Sequence, residues 1–157
     1  MNTIERDNTY VAHAYGRFPI SIVDGHGSIL VDENGKEYID FGSGIGVNIF
    51  GVNDEVWKMA VIDQIEKVQH TSNLYYTEPC TKLAELLCEK TGMKKVFFSN
   101  SGAEANECAI KAARRYAFQK YGDGHSTIIT LKNSFHGRTI TTLAATGQDV
   151  FHEQFLP

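Results

Sequence analysis

The sequence predicts an α/β protein in which a small antiparallel-sheet segment precedes the first part of a larger, parallel or mixed-sheet domain. Three observations carry that expectation. Between Ile20 and Asp40, short apolar runs are separated by Asp-Gly and Asn-Gly pairs, the turn chemistry of hairpins. Two amphipathic helical patterns follow. From Lys95 onward the order becomes apolar run, alanine-rich helix, apolar run, which implies a parallel unit with a right-handed crossover. These features divide the chain into residues 1–52, an N-terminal arm with the small sheet, and residues 53–157, helices with an incomplete large domain.

The first 18 residues alternate polar positions with a few aromatics, so they are expected to form an arm or short helix anchored by Tyr10, Tyr15 and Phe18. Strands are expected at Ile20–Val23, Ile29–Val31 and Glu37–Asp40, with turns at Asp24-Gly25 and Asn34-Gly35. Residues 53–70 read as a core-facing helix with Asn53 or Asp54 as its cap. Its apolar stripe runs through Val56, Trp57, Ala60, Val61, Ile65 and Val68. Glu78 to Thr91 repeats the pattern through Leu83, Leu86 and Leu87, and Gly92 follows as a C′ glycine would.

The most telling stretch is Ser99-Asn100-Ser101-Gly102-Ala103-Glu104-Ala105-Asn106, which joins the apolar run Lys95–Phe98 to a helix through very small residues. The first N–H groups of a helix lack intrahelical partners and carry the positive end of its dipole, so an anion held there gains hydrogen bonds and Coulomb energy together. Ser101 could add a hydroxyl, and Gly102 removes the Cβ that would hold a phosphate away. On these eight residues alone a capping box of the form S-x-x-E is the commoner explanation. A second motif shifts the balance. Asn133-Ser134-Phe135-His136-Gly137-Arg138-Thr139 follows the apolar run Thr127–Leu131. Ligands of open parallel sheets bind outside the carboxyl ends of strands, so both segments are expected to face one crevice. Phe135 offers a flat apolar face there, Arg138 a cationic fork suited to a carboxylate, and Gly137 room for a close approach.

Composition narrows the classes of function. A hydrophobic share of 42% with 22% charged residues is ordinary for a globular protein. A net charge of −4 with no basic stripe argues against nucleic acid or an anionic membrane as partner. The N-terminus has no signal-like core and no run reaches membrane-spanning length, which points to the cytosol. Cys80, Cys88 and Cys108 form no C-x-x-C pair and have no histidine at zinc spacing, so they read as reduced thiols and no metal site is expected.

Taken together, the motifs resemble those of the class III pyridoxal-phosphate aminotransferases. The resemblance rests on residues 32–41 (DENGKEYIDF), 43–48 (SGIGVN), 70–73 (HTSN), 101–107 (SGAEANE) and 135–139 (FHGRT), in that order. It covers nearly the whole chain. Within the family, Ile45 and Asn73 followed by Tyr75 are most similar to the acetylornithine subgroup.

The resemblance implies a fold type I pyridoxal-phosphate transferase of which this chain is a truncated N-terminal part. It implies that Ser101, Gly102 and Ala103 hold the phosphate of pyridoxal 5′-phosphate, that Phe135 stacks on its ring, and that His136 packs near the ring or contacts it. Arg138 would pair with the substrate carboxylate. Ser43, Gly44 and Ile45 would line the substrate pocket, with Asn73 and Tyr75 near its far end or near a partner subunit of a homodimer. The implied reaction moves the amino group of N-acetylornithine, or an ornithine-like donor, to 2-oxoglutarate in arginine biosynthesis. Succinylornithine or 4-aminobutyrate as donor, and a non-catalytic truncated paralogue or binding subunit, are the alternatives. The family's Gly-His-x-His-Pro is replaced by Gly51-Val52-Asn53-Asp54-Glu55, although a helix start survives. No lysine here stands in the context of the family's Schiff-base lysine, so no catalytic residue is assigned. The chain by itself is expected to be inactive.

Overall fold

A computed structural model describes residues 1–153 and Phe155. It contains two compact units that divide between Tyr75 and Tyr76. The N-terminal unit therefore includes the helix that the sequence assigns to the second domain.

Helix α1 (Thr3–Tyr10) opens the N-terminal unit under a full capping box. The Asn2 side chain accepts from the Glu5 N–H at 2.9 Å, and the Glu5 carboxylate accepts from the Asn2 N–H at 2.9 Å. Arg17, in the segment that follows, pairs with Asp7 at 3.2 Å and lies over the Tyr15 ring.

Strands β1 (Ile22–His26), β2 (Ile29–Asp32) and β3 (Glu37–Ile39) form an antiparallel meander. The first hairpin turn is not at Asp24-Gly25 as the sequence suggests. Gly25 lies inside β1, opposite Leu30, and a Cβ there would stand 2.5 Å from the Ile29 carbonyl. The turn falls at Gly27-Ser28, where Gly27 takes φ +54°, and a bulge between Ile22 and Asp24 absorbs the register change. The second turn is where Asn34-Gly35 predicts it, with Gly35 at φ +78°. Asp32, which is buried, organises that turn. Its carboxylate accepts from the N–H groups of Asn34 (2.8 Å) and Lys36 (3.0 Å) and from the Tyr38 hydroxyl (2.9 Å). The Lys36 N–H, with help from Asn34 and Tyr38, holds this carboxyl below its ordinary value against the opposing effect of burial.

The one-turn element α2 (Ser43–Gly46) is wound left-handed, with φ of 46°, 62°, 61° and 75° at its four residues. Helix α3 (Glu55–Ile65) takes Asp54, not Asn53, as its cap, since the Asp54 carboxylate accepts from the Trp57 N–H at 2.8 Å. Asn53 instead donates to the Gly25 carbonyl at 2.8 Å. The helix stops short of residue 70, and its apolar stripe is not in a core: Val56 is 81% and Trp57 57% exposed.

In the second unit, α4 (Glu78–Thr91) ends at Gly92 in the left-handed conformation, as predicted. Helix α5 (Gly102–Tyr121) and α6 (Ile140–Ala145) pack against each other, followed by a 3₁₀ turn at Asp149–Phe151. The runs 95–98 and 127–131 do not pair as parallel strands among the described residues. Runs joined by a helical crossover need not be sheet neighbours, and each then depends on strands from elsewhere for its hydrogen bonds. Phe97, Ile129 and Leu131 are accordingly exposed. Gln154, Leu156 and Pro157 lie outside the described residues. Among the described residues no helix is long and apolar enough to cross a membrane.

Candidate functional site

The site begins at the first turn of α5. Ser101 is extended (φ −153°, ψ 162°) and its hydroxyl accepts from the Glu104 N–H at 3.2 Å. The Glu104 carboxylate reaches past Ser101 to the Asn100 N–H at 2.6 Å. The reciprocal bond of a capping box is thus shifted by one residue. Capping does not use up the Ser101 hydroxyl, because accepting from Glu104 leaves its proton available to donate. Gly102 and Ala103 follow in the turn whose N–H groups the helix itself cannot satisfy. A Cβ added at Gly102 would meet no atom within 4 Å, so this glycine keeps open space rather than relieving a clash within the chain.

The second wall is the 133–138 loop, folded back on α6. Asn133 (φ 58°) donates its N–H to the Gly147 carbonyl at 3.0 Å, and the Gly147 N–H returns a bond to the Ser134 carbonyl at 3.0 Å. The His136 N–H is bound by the Thr146 hydroxyl at 3.0 Å, and its carbonyl by the Asn106 amide at 2.7 Å. Gly137, at φ 132°, is wedged so tightly that a Cβ would lie 2.5 Å from Thr142 Oγ1 and 2.7 Å from Ala103 Cβ. The close approach expected of Gly137 is therefore to the first turn of α5.

These contacts bring Gly102, Ala103, Asn106, Phe135, His136, Gly137 and Arg138 around one cleft of about 470 Å³. Ser101 caps the helix at its edge. Half of Phe135 is exposed, and its ring meets Phe151 edge-on at 5.7 Å. The Arg138 guanidinium stands 5.7 Å from the Phe135 centroid and 5.6 Å from that of Phe151, so the two rings constrain its planar fork. His136 Nδ1 is buried without a hydrogen-bond partner among the described residues, an unmet polar atom in the cleft-lining loop.

The other predicted residues, Ser43, Ile45, Asn73 and Tyr75, belong to the N-terminal unit. Ser43 is fixed by Asp40, whose carboxylate accepts from the N–H groups of Gly42 (2.8 Å) and Ser43 (2.9 Å). Ile45 holds a left-handed conformation that β-branched residues avoid and is 98% exposed. Asn73 and Tyr75 are exposed around a turn in which the Tyr75 N–H donates to the Ser72 carbonyl.

The sequence motif of the class-III aminotransferases matches residues 10–157. The chain belongs to that family. It is 56% identical over 151 residues to an acetylornithine aminotransferase of Haemophilus ducreyi, an alignment that covers 96% of this chain and 38% of the relative. A succinylornithine transaminase of Citrobacter koseri is 44% identical, with 99% of this chain and 38% of that protein covered. The fold superposes on the crystal structure of ornithine aminotransferase from Toxoplasma gondii with a TM-score of 0.91 at 28% identity, covering 98% of this chain and 37% of that one. The chain thus spans about 38% of the length of the curated relatives it matches.

Four contributors were not singled out from sequence. Asn106 stands inside a recognised motif but carries no signal of its role. Thr142 and Thr146, spaced at i and i+4 on α6 and its end, are 0% and 1% exposed, a burial that polar residues do not advertise. Phe151 reaches the site only through the fold of the segment after Gly147.

Proposed function

We propose that the complete protein is a pyridoxal 5′-phosphate-dependent aminotransferase. In this reading it takes the amino group of N-acetylornithine or a close ornithine derivative and delivers it to 2-oxoglutarate, serving arginine biosynthesis as a cytoplasmic homodimer. The observation that carries the reading is the single cleft that joins an open helix N-terminus at Gly102-Ala103 to an aromatic ring and a guanidinium at Phe135 and Arg138. The donor set fits the cofactor. Open space at Gly102 admits a phosphate to the backbone, Phe135 presents a face to a pyridine ring, and His136 Nδ1 lacks a partner.

When bound, pyridoxal phosphate supplies the electron sink that amino-group transfer requires. The chain's residues bind and orient. The N–H groups of Gly102 and Ala103 and the Ser101 hydroxyl donate to phosphate oxygens, aided by the helix dipole. Phe135 excludes water from one ring face. Arg138, held by two phenyl rings, receives the substrate carboxylate bidentately and so fixes where the amino group lies. Ser43, Ile45, Asn73 and Tyr75 are proposed to shape the substrate pocket. The covalent anchor is assigned to a lysine outside these residues: no lysine lines the cleft, and Lys94, Lys95 and Lys111 are exposed.

Arg138→Ala in the complete enzyme tests the carboxylate role. Loss of a charge-assisted hydrogen bond of roughly 1.5–3 kcal/mol raises KM for both the amino donor and 2-oxoglutarate by about 10- to 150-fold. An unchanged KM rules the role out. A panel of acetylornithine, succinylornithine, ornithine and 4-aminobutyrate, compared by kcat/KM, decides the donor.

A further inference from the structure

We propose that Thr146 and Asn106 are positioning residues that set the distance between the phosphate end and the ring end of the cleft, an inference that rests on the pyridoxal-phosphate reading above. Between them the two residues hold both backbone polar groups of His136. The Thr146 hydroxyl accepts the His136 N–H at 3.0 Å, and the Asn106 amide donates to the His136 carbonyl at 2.7 Å. Thr146 is 1% exposed, and its single proton is committed to the carbonyl of Gly137 (3.1 Å) or Thr142 (3.0 Å). Asn106 lies one turn after Gly102, so its grip ties the loop to the same helix whose N-terminus receives the phosphate. Gly137, jammed between Thr142 and Ala103, stops the loop from sliding closer.

A rigid ligand that spans both ends feels any change in their separation. A ligand that touches only the helix N-terminus does not. The spacing therefore controls affinity for pyridoxal phosphate and leaves affinity for inorganic phosphate untouched, a split that general loosening of the fold would not produce.

The test is calorimetric titration of the complete apo-protein with pyridoxal 5′-phosphate and, separately, with inorganic phosphate. The variants are Thr146→Val, which keeps the shape and loses the hydroxyl, Thr146→Ser, which restores it, and Asn106→Ala. Thr146→Val and Asn106→Ala are expected to weaken pyridoxal phosphate by about tenfold or more, as loss of a buried partner does. Phosphate affinity is expected to stay within about threefold in all variants, and Thr146→Ser to bind pyridoxal phosphate within about threefold of wild type. Unchanged pyridoxal-phosphate affinity in both disabling variants, or equal weakening of both ligands, overturns the proposal. If Thr146→Val does not fold, the half-buried Asn106→Ala decides by the same criteria. A wild-type protein that does not take up pyridoxal phosphate overturns the functional reading itself, an outcome visible before any variant is compared.

Discussion

Gly102 and Gly137 are glycines for opposite reasons, and their substitutions separate ligand binding from folding. A Cβ at Gly102 meets no atom of the chain within 4 Å, so Gly102→Val is expected to leave the stability of the apo-protein within about 1 kcal/mol, while the added branches fill the space the phosphate would enter. At Gly137 a Cβ collides with Thr142 and Ala103, and φ 132° suits glycine alone. Gly137→Ala is expected to destabilise the complete protein by about 1–3 kcal/mol, read from the urea midpoint, with cofactor affinity falling as a consequence. Stability equal to wild type would contradict the wedge. The contrast was only half legible beforehand. The motifs mark both glycines, yet which one faces solvent space and which faces the chain depends on α6, whose threonines contribute no hydrophobic period to read.

Among the elements, the β2–β3 hairpin carries the clearest electrostatic prediction. The Asp32 carboxyl is held below its ordinary value chiefly by the Lys36 N–H, so the charged form is favoured in the folded state. Its contribution is complete above the unfolded value near about pH 4 and is lost as pH falls through the lower folded value. In the complete protein the stability gap between wild type and Asp32→Asn, followed by urea unfolding from neutral to acid pH, is expected to be widest near neutrality and to close in acid. A gap independent of pH would remove the charge from the account. Element existence was readable wherever local chemistry decides it: Asn34-Gly35 marks its turn, and Gly92 ends α4 in the left-handed conformation. Asp24-Gly25 misleads because Gly25 is needed inside β1, where the Ile29 carbonyl leaves no room for a Cβ. That requirement comes from the partner strand, which a local pattern does not contain.

At the scale of the whole molecule, surface area is the governing quantity. The chain exposes 13561 Å², against about 7,900 Å² for a compact folded monomer of 17.5 kDa by the usual scaling. Phe41, Leu74, Tyr76 and Ile129 stand among many exposed apolar side chains, and Leu143 is the buried hydrophobic residue of the described part. Residues 1–157 produced alone are therefore expected to bind a hydrophobic dye and to melt without a cooperative transition. A sharp two-state melt with no dye binding would contradict this. The same economy explains why the helical stripes of α3 and the runs at 95–98 and 127–131 were legible as apolar but not as packed: pattern records a capacity for burial, and burial needs a partner surface.

The cleft between the α5 N-terminus and the Phe135–Arg138 loop is the proposed seat of pyridoxal phosphate. The most direct test is an absorbance titration of the complete apo-protein with pyridoxal 5′-phosphate, wild type beside Gly102→Val, with apo-protein melting measured in parallel. Saturable binding by wild type, at least about tenfold weaker binding by Gly102→Val, and matching apo melting curves are expected. Equal affinity in the two proteins would place the cofactor elsewhere.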